Sequence, residues 1–313
     1  MNFSNLINNG SWLGFFFLSL LAISIVFDFI VFNKPKAMSY KSAALQSLGW
    51  VSLGLLFGAL IYWKEGPELG LQYVSAYVME YSLSIDNIFV FVLILSYFKV
   101  SEKYYRKVLS YGIMGAIIFR VIFILLGMQL VAEFSWILYV FGGLLIYTGY
   151  KILMSGQEPE VHPEKNIIYK FMKKYFNILD EEGEGNFIIH RDGKKYYSIL
   201  FLVVGVLAST DLVFAIDSIP AAFAVSQNKM VVLTSNIFAV MGLRAMFYLL
   251  MGAVNKFDYL QQGISFVLMF IGIKMMIEIF NWHIPTEISL LIIILVLGSS
   301  IVFSLIKNNS SNK

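Results

Sequence analysis

Apolar runs of about twenty residues, separated by short polar breaks, cover almost the whole chain, and each is long enough to cross a bilayer as a helix. In order they predict nine spans, roughly 11–33, 43–63, 70–98, 107–130, 134–154, 198–225, 230–254, 259–281 and 286–306. The first follows a polar start with no basic region and no small-residue cleavage pattern, so it reads as a retained span. Only one connection is long, and its balance of acids and bases reads as a solvated cytoplasmic connector between the two halves in preference to a regulatory metal sensor. Residues 156–197 hold an amphipathic piece from Asn166 to Ile178, an acidic turn from Asp180 to Glu184, and an Asp192-Gly193 pair between short apolar runs that predicts a β-hairpin.

Two spans break the apolar pattern in the same way. Span three carries Glu80-Tyr-Ser-Leu-Ser-Ile-Asp86-Asn87, and span six carries Asp211-Leu-Val-Phe-Ala-Ile-Asp217-Ser218, with the two acids six residues apart in each. An ionised carboxylate at hydrocarbon depth costs roughly 3 kcal/mol on insertion scales, so something must bind it, pair with it or hydrate it. Each acidic span is followed by one with a central arginine, Arg120 or Arg244. Each three-span unit then ends on a Gly-x-Lys helix, at Gly149-Tyr-Lys151 and Gly272-Ile-Lys274. Three spans per unit reverse the second copy. The expected fold is therefore an all-α polytopic membrane protein of about nine transmembrane helices, with two inverted three-helix repeats. The segments divide as 1–69 for the peripheral first two spans, 70–155 for the first repeat, 156–197 for the loop, 198–281 for the second repeat, and 282–313 for the ninth span and tail.

Composition agrees with the pattern: 58% of residues are hydrophobic, 14% are charged, and the mean hydropathy is +0.75. Lys and Arg collect in alternate loops, eighteen against two, which places the N-terminus outside and the C-terminus in the cytoplasm of a bacterial cytoplasmic membrane. A net charge of only +3 gives no reason to expect nucleic-acid binding. There is no cysteine, and His162, His190 and His283 fall in loops or at a span end, so the ligands inside the membrane are oxygens. Oxygen ligands suit Mn²⁺, Mg²⁺ or Ca²⁺ better than copper or zinc, and fourteen methionines scattered through apolar spans read as packing.

Opposite span directions put Glu80 level with Asp217 and Asp86 level with Asp211, about 9 Å apart along the helix axis. Glu80, Ser84 and Asn87 share one helix face, as do Asp211, Ala215 and Ser218. Pro220 denies the Ile216 carbonyl its helical donor, which predicts a local break and a further oxygen ligand. The candidate cation site is thus Glu80, Asp86, Asn87, Asp211, Asp217 and Ser218. Ser84, Thr210, Asn236 and the Ile216 carbonyl stand around it, and Arg120 and Arg244 balance charge. Two arginines leave four carboxylates two charges short, a deficit that a divalent cation fills and that two protons fill when it leaves. Asp28, in span one, is a candidate gate. Lys274 and Glu278, four apart, read as a structural pair.

At the two acidic motifs the sequence resembles the TerC family (TerC/Alx-like integral membrane proteins). Glu80-Tyr-Ser-Leu-Ser-Ile-Asp-Asn87 is similar to the family's first motif and Ser209-Thr-Asp-Leu-Val-Phe-Ala-Ile-Asp-Ser-Ile-Pro-Ala221 to its second. Thr234-Ser-Asn-Ile-Phe-Ala-Val-Met-Gly-Leu-Arg244 is similar to the segment that follows. Ala208 stands where many relatives carry an acid. The resemblance implies manganese export and a link with tellurium resistance, with Glu80, Asp86, Asp211 and Asp217 as ion ligands or proton acceptors. The expected function is a non-enzymatic secondary transporter exporting Mn²⁺, or Ca²⁺ or Mg²⁺, in exchange for protons and without an organic cofactor. Two other classes stay open: an intramembrane aspartyl hydrolase and a membrane assembly factor.

Overall fold

The computed structural model describes residues 12–32, 39–134, 136–155, 164, 166–191, 193–251, 259–277, 280, 282 and 284–311; the side chains of residues 12, 24–32, 85, 86, 89, 155, 217, 260, 305 and 308–311 lie outside that description. Nine long helices account for the predicted spans: α1 (Trp12–Phe32), α2 (Tyr40–Glu65), α3 (Pro67–Tyr97), α4 (Glu102–Glu133), α5 (Ile137–Ser155), α7 (Ile199–Val225), α8 (Lys229–Leu250), α9 (Leu260–Ile277) and α10 (Thr286–Ser311). The short α6 (Ile167–Tyr175) lies between α5 and α7. Among the described residues six helices are long and apolar enough to cross a membrane, and α1 and α9 contribute shorter apolar stretches. The chain is an all-α polytopic integral membrane protein.

The cores of the two three-helix units, α3–α5 and α7–α9, interlock. Each helix of the first lies against its counterpart in the second and runs antiparallel to it. Gln72 of α3 accepts a 2.6 Å hydrogen bond from Ser226, the residue that ends α7, while Asn87, further along α3, meets Asp211, further back along α7. Ser110 and Arg120 of α4 meet Arg244 and Asn236 of α8 in the same reversed order. In the α5–α9 pair Gly142 faces Gly272, and Gly149 faces Ser265 and Met269. By contrast α4 runs parallel to α7, with Gly112 against Leu207 and Gly127 against Phe223. Helix α8 sits at the centre, and every residue from Val231 to Ala245 is buried. A helix enclosed on all sides by protein is the one place in a bilayer where polar side chains find polar partners on every face.

Helix α2 covers α3 with a glycine face: Gly54 receives the ring of Tyr77 and Gly58 that of Tyr73. Its other face presents Leu45 and Leu56, about two-thirds exposed, as a lipid-facing side chain requires. Helix α7 stays helical through Pro220, so the expected local break is absent, and Ile216 points out of the bundle, 48% exposed. Helix α7 packs on α3, α4 and α5, and the proline removes one hydrogen-bond donor without ending the helix.

The long connection is folded, where the sequence suggested a solvated linker. Asn166 caps α6 by accepting from the amides of Ile168 and Tyr169. Strands β1 (Ile178–Leu179), β2 (Ile188–Arg191) and β3 (Lys194–Ser198) form a sheet in the order β1-β3-β2, and β2 and β3 make the predicted hairpin. The sheet grips both α4 and α7. Phe187 meets Tyr111 edge-on at 4.9 Å, Phe176 meets Phe201 at 5.5 Å, and Lys107 donates to the Gly185 carbonyl at 2.8 Å. Glu182 accepts from the amide and hydroxyl of Ser101 at 2.5 and 2.7 Å. His190 is exposed on β2; His162, His283 and Glu278, with the expected Lys274–Glu278 pair, lie outside the described residues, and Lys274 donates to Ser289 of α10 at 3.1 Å.

The α5–α9 seam gives a stability prediction. A Cβ on Gly272 would stand 2.6 Å from the Gly142 carbonyl, whereas one on Gly143 meets nothing within 4 Å. Gly272→Val should lower the unfolding free energy by about 1–3 kcal/mol in detergent, and Gly143→Val should leave the melting temperature unchanged within about a degree.

Candidate cation site

The acids of the two units meet through one arginine. Arg120, fully buried on α4, donates from Nε to Asp211 Oδ2 at 2.6 Å and from Nη2 to Asp211 Oδ1 at 3.0 Å, a bidentate pair with α7. Its Nη1 reaches across to Glu80 Oε1 on α3 and also donates to Asn236 Oδ1 on α8 at 3.1 Å. Asn87 completes the ring with a long hydrogen bond, 3.5 Å, from its amide to Asp211 Oδ1. Four helices, two from each unit, therefore close on one guanidinium.

The helix register opposes Asn87 to Asp211 and so places Glu80 opposite Ser218, about 10 Å along the axis. Arg120 spans the two levels because its side chain is long enough to hold Asp211 at one and Glu80 at the other. Four polar atoms around it are buried without a hydrogen-bond partner among the described residues: Glu80 Oε2, Ser84 Oγ, Ser218 Oγ and Asn236 Nδ2. Their residues are all less than a twentieth exposed. An unsatisfied buried polar group costs about 1–3 kcal/mol, so several in one place signal a site for a guest or for water. Glu80 and Asp211 against Arg120 leave the described cluster one negative charge in excess.

Other sequence-selected residues fall elsewhere. Thr210 donates to the Val206 carbonyl of its own helix at 2.7 Å and does not touch the cluster. Arg244 is buried and donates to Ser110 at 3.1 Å. The backbones of Asp86 and Asp217 continue α3 and α7, and that of Asp28 lies in α1; their side chains are outside the described residues. Among the described residues no three acidic, histidine or cysteine side chains group to hold a metal. Sequence reasoning passed over Ser110, which accepts from Arg244, and Ser209, which bonds Asn166 at 3.0 Å only two residues from Asp211. Serine and threonine hydroxyls in helices commonly bond back to their own turn, so nothing in their spacing marks these two.

Removing one partner of a buried ion cluster strands the others. Arg120→Ala should lower stability by about 3–5 kcal/mol, and adding Asp211→Asn or Glu80→Gln should recover part of that loss. A double-mutant cycle on purified protein measures the coupling.

The model of the family described as "Integral membrane protein TerC family" matches residues 65–312. An uncharacterized membrane protein of Myxococcus xanthus, STKORF319, is 43% identical over 302 residues, covering 96% of this chain and 93% of that one. The Alx protein of Escherichia coli (strain K12), provisionally named a membrane-bound redox modulator, is 38% identical over 284 residues, 88% of each chain. An uncharacterized membrane protein of Rickettsia felis is 38% identical over 300 residues, covering 96% and 98%. No solved structure matches the chain.

Proposed function

The chain belongs to the TerC family of integral membrane proteins, and from that premise we propose that it is a secondary transporter that moves divalent cations, Mn²⁺ foremost, out of the cytoplasm. The observation that carries the reading is the buried cluster of Glu80, Asp211 and Arg120, flanked by four unpartnered polar atoms, between helices that pair antiparallel across two units. Transporters built from inverted units place substrate at the midplane, where the units meet. Glu80 Oε2, Ser84 Oγ and Ser218 Oγ are hard oxygen donors, suited to Mn²⁺, Mg²⁺ or Ca²⁺, and the neighbouring Asp86 and Asp217 would add carboxylates. In this reading the four acids exceed Arg120 and Arg244 by two charges, so a divalent cation entering from one side and two protons from the other keep the interior neutral.

The basic loops 34–41, 99–107 and 151–195 would face the cytoplasm of a bacterial membrane, and the folded α6–β3 segment with them. The protein would then be a carrier and not an enzyme, with no organic cofactor. The bridged geometry weighs against an aspartyl hydrolase, which needs two carboxyls sharing a proton. Here a guanidinium lies between Glu80 and Asp211 and bonds to both, so the two carboxyls do not face each other across a shared proton. A thiol-based redox role lacks its reactive group, since the chain has no cysteine.

Flux into liposomes of purified protein tests the assignment. Mn²⁺ should accumulate faster than in protein-free vesicles, with Mg²⁺ and Ca²⁺ as competitors, and Asp211→Asn should cut the rate at least about tenfold. Flux unchanged by that substitution would overturn the reading.

A further inference from the structure

Helix α6 divides its surface into three sectors. Ile168, Tyr169 and Met172 face the bundle: Met172 is buried, Ile168 and Met172 stand over Gly205 of α7, and the Tyr169 ring lies 6.1 Å from that of Phe98, just past the end of α3. Ile167, Phe171 and Tyr175, spaced four apart, form an apolar stripe that is 81%, 50% and 64% exposed. Lys170, Lys173 and Lys174 are exposed on the remaining side.

The helix is also set deep. Asn166, its cap, bonds Ser209 two residues from Asp211, and Phe176 at its far end meets Phe201, so α6 follows α7 back from the level of the acid cluster toward the sheet. The stretch of α7 that it covers lies within Ile199–Ile216, long and apolar enough to cross a membrane. We propose that the outer face of α6 is a binding site for anionic phospholipid of the leaflet on the side of the sheet, with an acyl chain on Ile167, Phe171 and Tyr175 and the headgroup on Lys170, Lys173 and Lys174. The site rests on the membrane fold alone and not on any transported ion.

Three large apolar side chains on one stripe, beside a spanning helix, suit hydrocarbon and not water. The lysines supply the other half of the chemistry, three positive charges within five residues. The acids of the same segment are engaged elsewhere: Glu164 bonds with Tyr97, Glu182 accepts from Ser101, and Glu181 pairs with Arg191 at 3.2 Å. Asp180 stands 3.8 Å from Lys173, but its side chain is largely exposed, so water weakens that pair. Lys173 and Lys174 each lie 5.4 Å from a ring, of Tyr169 and Tyr175, which carries their stems along apolar surface while the ammonium groups reach for the polar boundary. An occupant that offers both an apolar chain and a negative head answers both stripes at once.

Because the chain has no cysteine, single spin labels report on this face in the full chain, reconstituted into mixed vesicles of phosphatidylcholine and phosphatidylglycerol. Labels at Ile167→Cys and Phe171→Cys should meet dissolved oxygen and be shielded from a water-soluble nickel chelate, while one at His190→Cys, exposed on β2, should meet the chelate freely. Headgroup choice is read from Phe171→Trp, quenched by brominated lipid of either kind and compared with the parent chain. Quenching should favour phosphatidylglycerol. Lys170→Gln and Lys174→Gln should each cut that preference by roughly fivefold, and Lys170→Arg and Lys174→Arg should keep it. Free access of the chelate to positions 167 and 171 overturns the proposal in favour of a water-exposed face, and dipolar broadening between labels overturns it in favour of a second copy. Shielding with equal quenching by the two lipids, unmoved by the glutamine variants, overturns the headgroup site and leaves hydrocarbon contact alone.

Discussion

A guanidinium held between two carboxylates in hydrocarbon is the constraint from which most of this architecture follows. Each charge alone would be costly at that depth, and together they are tolerable because opposite charges pair at close range. Arg120 meets that demand by drawing on four helices at once: its own, α3 through Glu80, α7 through Asp211 and α8 through Asn236. A central helix buried on all sides, antiparallel counterparts and a lipid-facing outer layer are what bring those groups within reach. Removing the guanidinium would leave the helix crossing point with repelling acids and no reason to close.

Much of this was legible in the chain. Nine apolar runs gave nine helices with boundaries that shifted by a few residues at most ends, because hydropathy at this density leaves few alternatives. The acids announced the site, since ionisable groups in apolar spans rarely lack a purpose. The bridge from Asp211 to Glu80 was not legible. It depends on the reach of one long side chain across two levels, and spacing along a helix says nothing of that. Pro220 misled for a related reason: a proline predicts a lost hydrogen bond, and the neighbours decide whether the helix bends. Loop 156–197 looked like a solvated connector because its acids and bases balance, yet its aromatic residues, Phe176, Phe187 and Tyr197, carry the contacts that fold it onto the bundle.

The two kinds of seam between the units differ in character. Between α5 and α9, glycines let backbones approach until a carbonyl fills the space a methyl group would need. Such a joint has essentially one arrangement. Around α3, α4, α7 and α8 the contact is made by arginine, carboxylate, amide and hydroxyl groups, whose directional bonds fix the helices through side chains and not through backbone approach.

The small sheet adds a constraint of another kind. By holding Ser101 and Lys107 near the start of α4 and Phe201 near the start of α7, it fastens together two helices that belong to different halves of the internal duplication. Those halves cannot then swing as undivided blocks, since parting α4 from α7 at that end would tear the sheet from one of them. Any rearrangement that keeps these contacts would carry α4 and α7 together as a mixed pair, one helix from each three-helix unit.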